Sequence, residues 1–453
     1  MAIFAPTSTS KLQSSFIRFD AEFFKPEFAE VYEQICAVPG VYLLGKITER
    51  ITQGSNPKFT DKGLPCVNGK NVYFGTMTEG DPNFVSTIEF ERLSRYVLRR
   101  NDLVITLKHA TKIGRTWIVE DDEPRIFSRN VGLLRLKDGS PIIPSVLLLY
   151  LWTKQGQLLL DRCATGGTTG QITLPMSELR RLPIPPISED NQTAIDSLFW
   201  RSRRSIDKSI ESYIQAQKLL ESELRLDKLK FDKPLGYTAK FSELELSRRF
   251  DSEHYYPAFD KLQENLPEHI QLIPLGSVLI SCQRGKQTIY SSSGLPVLNS
   301  KHILENKITL EGNRHAQPNP EPSLQIQYGD VLINGTGRGT IGRAAPYLVS
   351  EHQAIPDNHV TILRSPTLDP AYLSFYLNSL AGKLQVEKYQ RGSSGQLELY
   401  PFDIRKFQVW EAPQSIQQEI RRLYDQASES ARQSRQLLDQ AKARVEQLIE
   451  EAV

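Results

Sequence analysis

The sequence predicts an α+β protein in which one domain occurs twice in tandem and each copy is followed by a long α-helix. Two stretches, residues 189–230 and 414–451, contain no Gly or Pro and carry a regular apolar stripe. Short β-type runs separated by turn residues precede each stretch. Landmarks of the first half recur in the second half in the same order. We therefore expect two similar domains and two helices packed together as an antiparallel coiled coil.

Composition bounds the class of protein. A chain of 453 residues is too long for one hydrophobic core and indicates at least two domains. Its net charge of +2 excludes a uniformly basic clamp, so any nucleic-acid site must be a local patch. The four cysteines lie far apart without a CxxC pair, which favours neither a zinc site nor a disulfide framework. We expect a cytoplasmic protein, because residues 1–15 lack a secretory apolar region and no apolar run approaches the roughly 20 residues of a membrane span.

The two stretches without Gly or Pro have the spacing of heptad helices. The stripe of the first consists of Ile195, Phe199, Ser202, Ile206, Ser209, Tyr213, Ala216 and Leu220. The stripe of the second consists of Ile420, Leu423, Ala427, Ala431, Ser434, Leu438, Ala441, Val445 and Leu448. The Ala and Ser positions allow two helix backbones to approach closely. At 1.5 Å per residue the first helix would be about 60 Å long, which would keep two domains at a set separation.

The internal repeat is the strongest organisational signal. The segment FDAEFFKP beginning at Phe19 corresponds to FDSEHYYP beginning at Phe250, an offset of 231. NDLVITLKHATKIGR corresponds to GDVLINGTGRGTIGR at an offset of 228, which aligns Asp102 with Asp330. GGTTGQITL corresponds to GSSGQLEL at an offset of 225, and the long helices follow in register. Offsets that drift by only six residues indicate a tandem duplication.

The repeat sets the predicted boundaries. We expect a first domain at 1–188, a first spacer helix and hinge at 189–235, a second domain at 236–413 and a second spacer helix at 414–453. Within the domains we predict strands at 103–107, 116–120, 331–334 and 359–364, helices at 144–157 and 370–389, and a curved sheet or partial barrel. The hinge FDKPLGY contains Pro234 and Gly236, which stop a helix.

This order of motifs resembles the specificity (S) subunits of type I restriction–modification systems. The motifs FDAEFFKP and FDSEHYYP, GDVLI with GTIGR, GSSGQ and the long helices carry the resemblance over nearly the whole chain. The resemblance implies two target-recognition domains that read the two parts of a bipartite, asymmetric site in double-stranded DNA. It also implies that the helices form a spacer on which two DNA adenine methyltransferase (modification) subunits dock.

The resemblance further implies restriction/translocase subunits as partners and a chain that catalyses nothing itself. S-adenosylmethionine, ATP and Mg would then be bound by the partner subunits, with no cofactor and no metal in this chain. No catalytic residue is expected.

Polar residues in Gly-punctuated loops are the candidate DNA contacts, because amides read base edges and cations hold phosphates. Ser, Thr and Gly in such loops also build turns, and single Lys or Arg residues are often only solvated, so these alternatives stay open. In the first domain the candidates are Asn68, Lys70, Lys108, Lys112, Arg115, Thr168, Thr169 and Gln171, beside His109. In the second they are Asn299, Lys301, Arg338, Arg343, Ser393, Ser394 and Gln396, beside His302 and Arg391.

Three enzyme-like features carry less weight. The acidic residues Asp20, Glu22, Asp251 and Glu253 lie beside aromatic residues and a Pro, which favours capping of a first helix over catalysis. Residues 337–342 fit GxGxxG, but the following segment lacks a helical period. Residues 56–59, NPKF, depart at their third position from the loop with which amino-methyltransferases hold a flipped base.

Two further classes of function stay open. A coiled-coil assembly scaffold, whose duplicated domains bind protein, fits the near-neutral net charge. An enzyme would need to bind S-adenosylmethionine or a nucleotide on the isolated chain.

Overall fold

The computed structural model describes residues 18, 21–72, 83–109, 113–166, 170–229, 231, 236–317, 324–349, 353–392 and 397–453. The chain divides into two compact units. Unit 1 comprises Met1–Ser205 together with Arg432–Val453, and unit 2 comprises Ile206–Ala431. Each unit therefore contains one part of each long helix, since these helices span Glu189–Glu223 and Gln414–Ala452.

The sheets of unit 1 are small and mostly antiparallel. The central sheet has the order Thr48–Gln53, Val131–Leu136, Leu103–Thr106, Thr116–Ile118. A second sheet has the order Phe59–Thr60, Asn83–Val85, Leu64–Val67, Ile126–Phe127, with its last pair parallel. A third has the order Thr165–Gly166, Ile172–Thr173, Lys108–His109, and Tyr42–Leu43 pairs with Pro183–Ile184.

Unit 2 repeats this arrangement. Its central sheet has the order Ser281–Arg284, Val360–Arg364, Asp330–Asn334, Ala344–Tyr347. Its second sheet has the order Tyr290–Ser291, His315–Ala316, Leu295–Leu298, Ile355–Pro356, again with a parallel last pair. The other pairs are Leu272–Pro274 with Gln408–Trp410 and Ile303–Leu304 with Lys307–Ile308. The matching strand orders confirm the predicted α+β duplication.

Short helices cover the sheets. In unit 1 the α-helices are Pro26–Ala37, Leu44–Ile47, Thr87–Arg92, Pro144–Trp152, Lys154–Cys163 and Met176–Arg180, and the 3-10 turns are Ala21–Phe24, Gly69–Asn71 and Ser94–Tyr96. In unit 2 the α-helices are Phe241–Ser247, Ala258–Glu264, Pro370–Asn378, Leu380–Tyr389 and Pro401–Ile404, and the 3-10 turns are Leu226–Lys228, Ser252–Tyr255 and Leu275–Ser277.

The core of each unit lies between its central sheet and one apolar helix. In unit 1 every residue of the strand Leu103–Thr106 is buried, as its β-branched and Leu side chains favour. Every residue of Pro144–Trp152 after the proline is buried as well. Pro370–Asn378 has the same pattern in unit 2. These two helices are therefore enclosed by the core and are not amphipathic surface helices.

The long helices run antiparallel. In unit 1, Asn191 Oδ1 accepts a hydrogen bond from Arg444 Nη2 at 2.9 Å. Further along, Ser202 Oγ lies 3.1 Å from Ser434 Oγ. In unit 2, Tyr213 Oη lies 3.5 Å from Ser428 Oγ. The partner number falls as the first number rises, so the predicted antiparallel pairing is confirmed.

The predicted stripes supply most of the buried contacts of this helix pair. In the second helix Leu437 and Ile449 are buried, whereas the predicted Leu438 and Leu448 are only partly buried. Ile195 and Phe199 share the core of unit 1 with Ala441, Val445 and Ile449. In unit 2, Ala216 and Leu220 share the core with Ile420, Leu423 and Tyr424. The small residues at the stripe positions match the hydroxyl-to-hydroxyl contact between Ser202 and Ser434, which requires a close approach of the backbones.

Three helix expectations were wrong in extent. The helix expected at 370–389 is two helices, Pro370–Asn378 and Leu380–Tyr389. The first long helix ends at Glu223 and does not reach residue 230, because Arg225 adopts a left-handed conformation with φ of 53°. That turn directs Leu226 into the core of unit 2. The helix expected at 144–157 is two helices that together reach Cys163. The break is at Thr153, whose Oγ1 accepts from Gly156 N at 3.0 Å and caps the second helix.

Among the described residues, no helix combines the length and the apolar character that crossing a bilayer requires. The described part of the chain also contains no group of three or more His, Cys, Asp or Glu side chains placed to hold a metal ion. The hinge residue Pro234 lies outside the described residues.

Candidate nucleic-acid interface

Four segments of unit 1, three of which carry or adjoin sequence candidates, converge at one end of the central sheet. Leu107 N donates to Asn130 O at 2.9 Å, and Leu174 N donates to Leu107 O at 2.8 Å. Strand Lys108–His109 pairs with Ile172–Thr173. The turn at 68–71 joins them, because a Cβ on Gly69 would lie 3.8 Å from Asn130 Cβ and 4.0 Å from Lys108 O.

Unit 2 assembles the equivalent segments. Asn334 Nδ2, at the end of a central strand, donates to Ser300 O at 3.0 Å and so binds the turn at 299–302. Gly335 N donates to His359 O, and Leu399 N donates to Gly335 O, each at 2.8 Å. The candidate loops are thus neighbours in each unit, although they are distant in sequence.

The turn at the centre of each cluster is built in the same way. The Asn68 backbone N–H donates to Asn71 Oδ1 at 2.9 Å, and the Asn299 N–H donates to His302 Nδ1 at 3.1 Å. Asn71 and His302 are buried, with 4% and 1% exposure. Burial lowers the pKa of His302, and the charge of Lys301 adds to this shift. A neutral ring is therefore favoured, and it can accept this hydrogen bond.

The candidates within these turns differ in availability. Lys70 and Lys301 occupy equivalent positions and are both exposed. Lys301 Nζ lies 3.3 Å from Gly312 O. Asn68 and Asn299 are half-buried, and each contacts its own turn: Asn68 Nδ2 donates to Cys66 O at 3.3 Å, and Asn299 Oδ1 accepts from Lys301 N at 3.2 Å.

The remaining cations lie on the central hairpins. Lys108, Arg115 and Arg343 are half-buried, and Arg338 is exposed. Residues 337–342 form turns between the strands Asp330–Asn334 and Ala344–Tyr347, so no helix opens at this GxGxxG sequence. Gly114 and Gly342 precede Arg115 and Arg343 with φ values of 75° and 82°, and both hairpins therefore need glycine at this position.

Six candidates, namely Lys112, Thr168, Thr169, Ser393, Ser394 and Gln396, lie outside the described residues, as do Asp20 and the side chains of Glu22 and His109. Gln171 is described and exposed.

Arg391 is bound within the fold, since its guanidinium donates to both carboxylate oxygens of Asp403 at 2.7 and 3.1 Å. The Asp403 side chain is fully buried. Asp251 pairs with Arg249 Nε at 2.9 Å, a structural contact that requires no catalytic role.

Sequence reasoning overlooked Gln53 and Arg284, which are related by the same offset of 231 as the first landmarks. Gln53 Nε2 donates to Arg129 O at 2.6 Å. Arg284 Nε donates to Asn358 O, and its Nη1 donates to Glu398 Oε2 at 2.6 Å. Each side chain thus supports the equivalent loop of its own unit. Aligning the two halves residue by residue would have found them.

The outward residues differ between units where the supporting contacts agree. Arg129 is exposed beside the unit 1 cluster. The corresponding position of unit 2 is Asn358, a half-buried residue whose backbone oxygen accepts from Arg284 as that of Arg129 accepts from Gln53. Each unit can therefore offer cations and amides at its loop cluster, in a different arrangement.

Comparisons with known proteins returned structures alone. No family model matches the chain, and no curated protein matches it. Three of the similar solved structures are a type I restriction–modification S subunit from M. genitalium, an HsdS subunit from Thermoanaerobacter tengcongensis and a structure described as the basis of complex assembly and conformational transition of the type I R-M system.

The first of these has 12% identity and a TM-score of 0.45, and it covers 92% of this chain and 96% of that chain. The second has 14% identity and a TM-score of 0.28. The third has 14% identity and a TM-score of 0.34. Each of the latter two covers 92% of this chain and 98% of the matched chain.

Proposed function

We propose that this chain is the DNA-recognition subunit of a type I restriction–modification complex and that its two units read the two parts of a bipartite, asymmetric site. The observation that carries the proposal is the paired loop cluster. Equivalently placed residues hold equivalent loops in both units, and the outward side chains on those loops agree at Lys70 and Lys301 but differ at Arg129 and Asn358. Such a design keeps the same approach to a duplex and allows two different sequences to be read.

Phosphate contacts fall to the exposed cations of each cluster. Lys70 and Lys301 stand at equivalent positions and can approach the backbone in the same way in both halves. Arg338 on its turn, and Gln171 beside the unit 1 strands, are the described side chains suited to read base edges. Lys108, Arg115 and Arg343 support these contacts from partly buried positions.

Catalysis belongs to other subunits in this proposal. Two adenine methyltransferase subunits, with S-adenosylmethionine, would dock along the antiparallel helix pair, and restriction/translocase subunits would use ATP and Mg. The exposed faces of the helices carry Ile210 and Ile214, which are 50% and 47% exposed and offer apolar contacts to such partners.

The decisive experiment is to map methylated adenines in the host genome with and without this gene. The proposal expects one split motif to lose methylation when the gene is deleted. Unchanged methylation would contradict it. A salt titration of duplex binding by the complex separates this function from a protein-binding scaffold, because only DNA binding shows a steep counterion-release slope.

A further inference from the structure

Unit 1 contains a cavity of about 350 Å³ beside its first helices. Its lining combines aromatic rings with charged groups: Phe23, Phe24, Ala29, Tyr32, Glu33, Leu159, Arg162, Cys163, Glu178, Arg181, Leu182 and Pro183. This volume is at the lower end of the range for small-ligand sites.

Arg162 is the distinctive group of this cavity. Its guanidinium carbon lies 3.7 Å from the centre of the Phe23 ring and 4.0 Å from the centre of the Tyr32 ring. Its Nε is buried without a hydrogen-bond partner. Among the described residues no carboxylate pairs with it. The rings cover the faces of the guanidinium, so its in-plane N–H groups are the part left to bind a ligand.

In unit 2 the cation at the equivalent position has a carboxylate partner. The helices Lys154–Cys163 and Leu380–Tyr389 are equivalent, and Lys388 stands where unit 1 has Arg162. Lys388 Nζ donates to Asp260 Oδ1 at 2.9 Å. Asp260 follows Pro257 by three residues, as Ala29 follows Pro26. At this position unit 1 therefore has the cation, Arg162, without the carboxylate that pairs with the cation in unit 2.

Buried arginines confirm that these positions correspond. Arg18 Nη1 donates to Cys163 O at 3.0 Å, and its Nη2 donates to Ala164 O at 2.7 Å. Arg249 donates to Tyr389 O at 3.1 Å and to Gln390 O at 2.6 Å. The end of the helix that carries the cation is thus held in the same way in both units.

We propose that the cavity of unit 1 is a carboxylate-binding site in which Arg162 takes the ligand carboxylate and the Phe23 and Tyr32 rings take an attached apolar group. The carboxylate of Asp260 in unit 2 is the internal precedent for the ligand. The other charges of the lining are Glu33, Glu178 and Arg181, and Arg181 Nη1 lies 3.5 Å from Glu178 Oε1. Because Arg181 pairs with Glu178, Arg162 is the cation of the lining that is left to attract the ligand.

The carboxylate can belong to a small molecule or to an acidic side chain of a bound polypeptide. Residues 1–17 contain no Asp or Glu, so that segment cannot supply it. Two probes separate the sources: benzoate, and a capped Glu-Phe dipeptide. Tighter binding of the dipeptide assigns the site to a polypeptide, and tighter binding of benzoate assigns it to a small molecule.

The test is a reciprocal exchange in the full chain, with binding measured by saturation-transfer NMR at low salt. Benzoate should bind the unaltered chain at least tenfold more tightly than benzamide, its uncharged counterpart. Ala29→Asp supplies an internal carboxylate and should weaken benzoate binding about tenfold. Asp260→Ala, introduced into the Ala29→Asp chain, frees Lys388 and should restore a site. Thermal unfolding of each variant verifies folding.

Three results would overturn the proposal. Equal binding of benzoate and benzamide would show that the charge plays no part. Unaltered benzoate binding in Ala29→Asp would place the ligand elsewhere. Stronger benzoate binding in Glu22→Gln would show that the chain fills the cavity with its own carboxylate. No arm of the experiment involves DNA, so the outcome is independent of the proposed recognition function.

Discussion

Arg135 donates two hydrogen bonds of 2.7 Å to Asp102, one from Nε to Oδ1 and one from Nη2 to Oδ2. Asp102 Oδ2 also accepts from Arg99 N at 2.7 Å. Arg364 and Asp330 repeat this contact in unit 2 at 2.7 and 2.8 Å, with Gln327 N in the place of Arg99 N. The side chains of Asp102 and Asp330 are 2% and 1% exposed. A buried, fully hydrogen-bonded ion pair therefore joins two central strands in each unit.

Breaking this pair should destabilise the unit that contains it. Asp102→Asn leaves Arg135 without its charge partner in a mostly buried position, and we expect a loss of about 3 kcal/mol in the unfolding free energy of unit 1. Urea denaturation measures it, because Trp117, Trp152 and Trp200 report on this unit. Lys442→Gln, which breaks an ion pair of the same unit whose members are 40% and 30% exposed, is the matched control and should change little. Equal effects of both substitutions would contradict the assignment.

Gln417 should anchor the second long helix. Its Oε1 accepts from Asp369 N, and its Nε2 donates to Ala412 O, each at 2.8 Å. Gln417→Ala leaves the buried Ala412 C=O and the part-buried Asp369 N–H unpaired, which should cost about 2 kcal/mol. Hydrogen exchange of the Asp369 amide should accelerate accordingly. Gln447→Ala, on the exposed face of the same helix, is the control, and equal exchange in both variants would argue against this anchor.

The exposed lysines of the loop clusters should govern the salt dependence of DNA binding. Lys70→Gln and Lys301→Gln should each lower the slope of log K against log salt by about 0.9 and weaken all sequences equally. Arg338→Gln should instead relax the preference at one base position. Binding is measured with the assembled complex. Lys261→Gln, which changes an exposed lysine on the helix Ala258–Glu264, serves as the control. An equal change of the salt slope in Lys261→Gln would contradict the assignment of Lys70 and Lys301 to the DNA interface.

Glu89 should make unit 1 sensitive to acid. Hydrogen bonds from Arg92, at 2.7 and 2.6 Å, and then from Lys58 N, at 2.9 Å, lower the pKa of Glu89 from 4.5 to about 2. Because the folded pKa is the lower one, the stabilisation is complete above about pH 4.5 and is lost as the pH falls towards 2. Urea midpoints between pH 5 and 2 should therefore fall less steeply in Glu89→Gln than in the unaltered chain. In the control Glu91→Gln, the urea midpoint should fall with pH as steeply as in the unaltered chain. A urea midpoint that does not change with pH in Glu91→Gln would exclude Glu89 as the cause.

Lengthening both long helices should change the DNA gap that the complex tolerates. Both helices pass from one unit to the other, between Ser205 and Ile206 and between Ala431 and Arg432. We expect four residues inserted at each point, about 6 Å of helix, to lengthen the gap and leave each half-sequence unaltered. Methylation mapping in cells reads out the motif. An unaltered gap would mean that the helices do not set the spacing.

Periodicity and repetition were sufficient to predict the fold class, because both signals are written in residue order. The stripe from Ile195 to Leu220 predicted the helix contacts, and the shared offset predicted the second copy. The end of the first long helix was not predictable. No Gly or Pro stops it at Glu223, and the left-handed Arg225 is selected by the burial of Leu226 in a core built from distant segments.

The sequence was sufficient to predict which loops form the candidate site. It was not sufficient to predict which side chains on those loops are available to bind DNA. Arg391 looked available in sequence, but it pairs with Asp403, a buried carboxylate twelve residues away. The supporting roles of Gln53 and Arg284 depend on carbonyls of a loop more than seventy residues away, which no local pattern encodes.

Unit 2 is continuous in the chain, from Ile206 to Ala431, whereas unit 1 is completed by Arg432–Val453. On a translating ribosome every segment of unit 2 has therefore been synthesised before the final segment of unit 1 is made. Until then, Ile195 and Phe199 lack the Ala441, Val445 and Ile449 side chains that share their core. Unit 1 is therefore synthesised first but completes its core last. A chain truncated before Arg432 would expose the apolar surface of the first long helix, to which chaperones can bind.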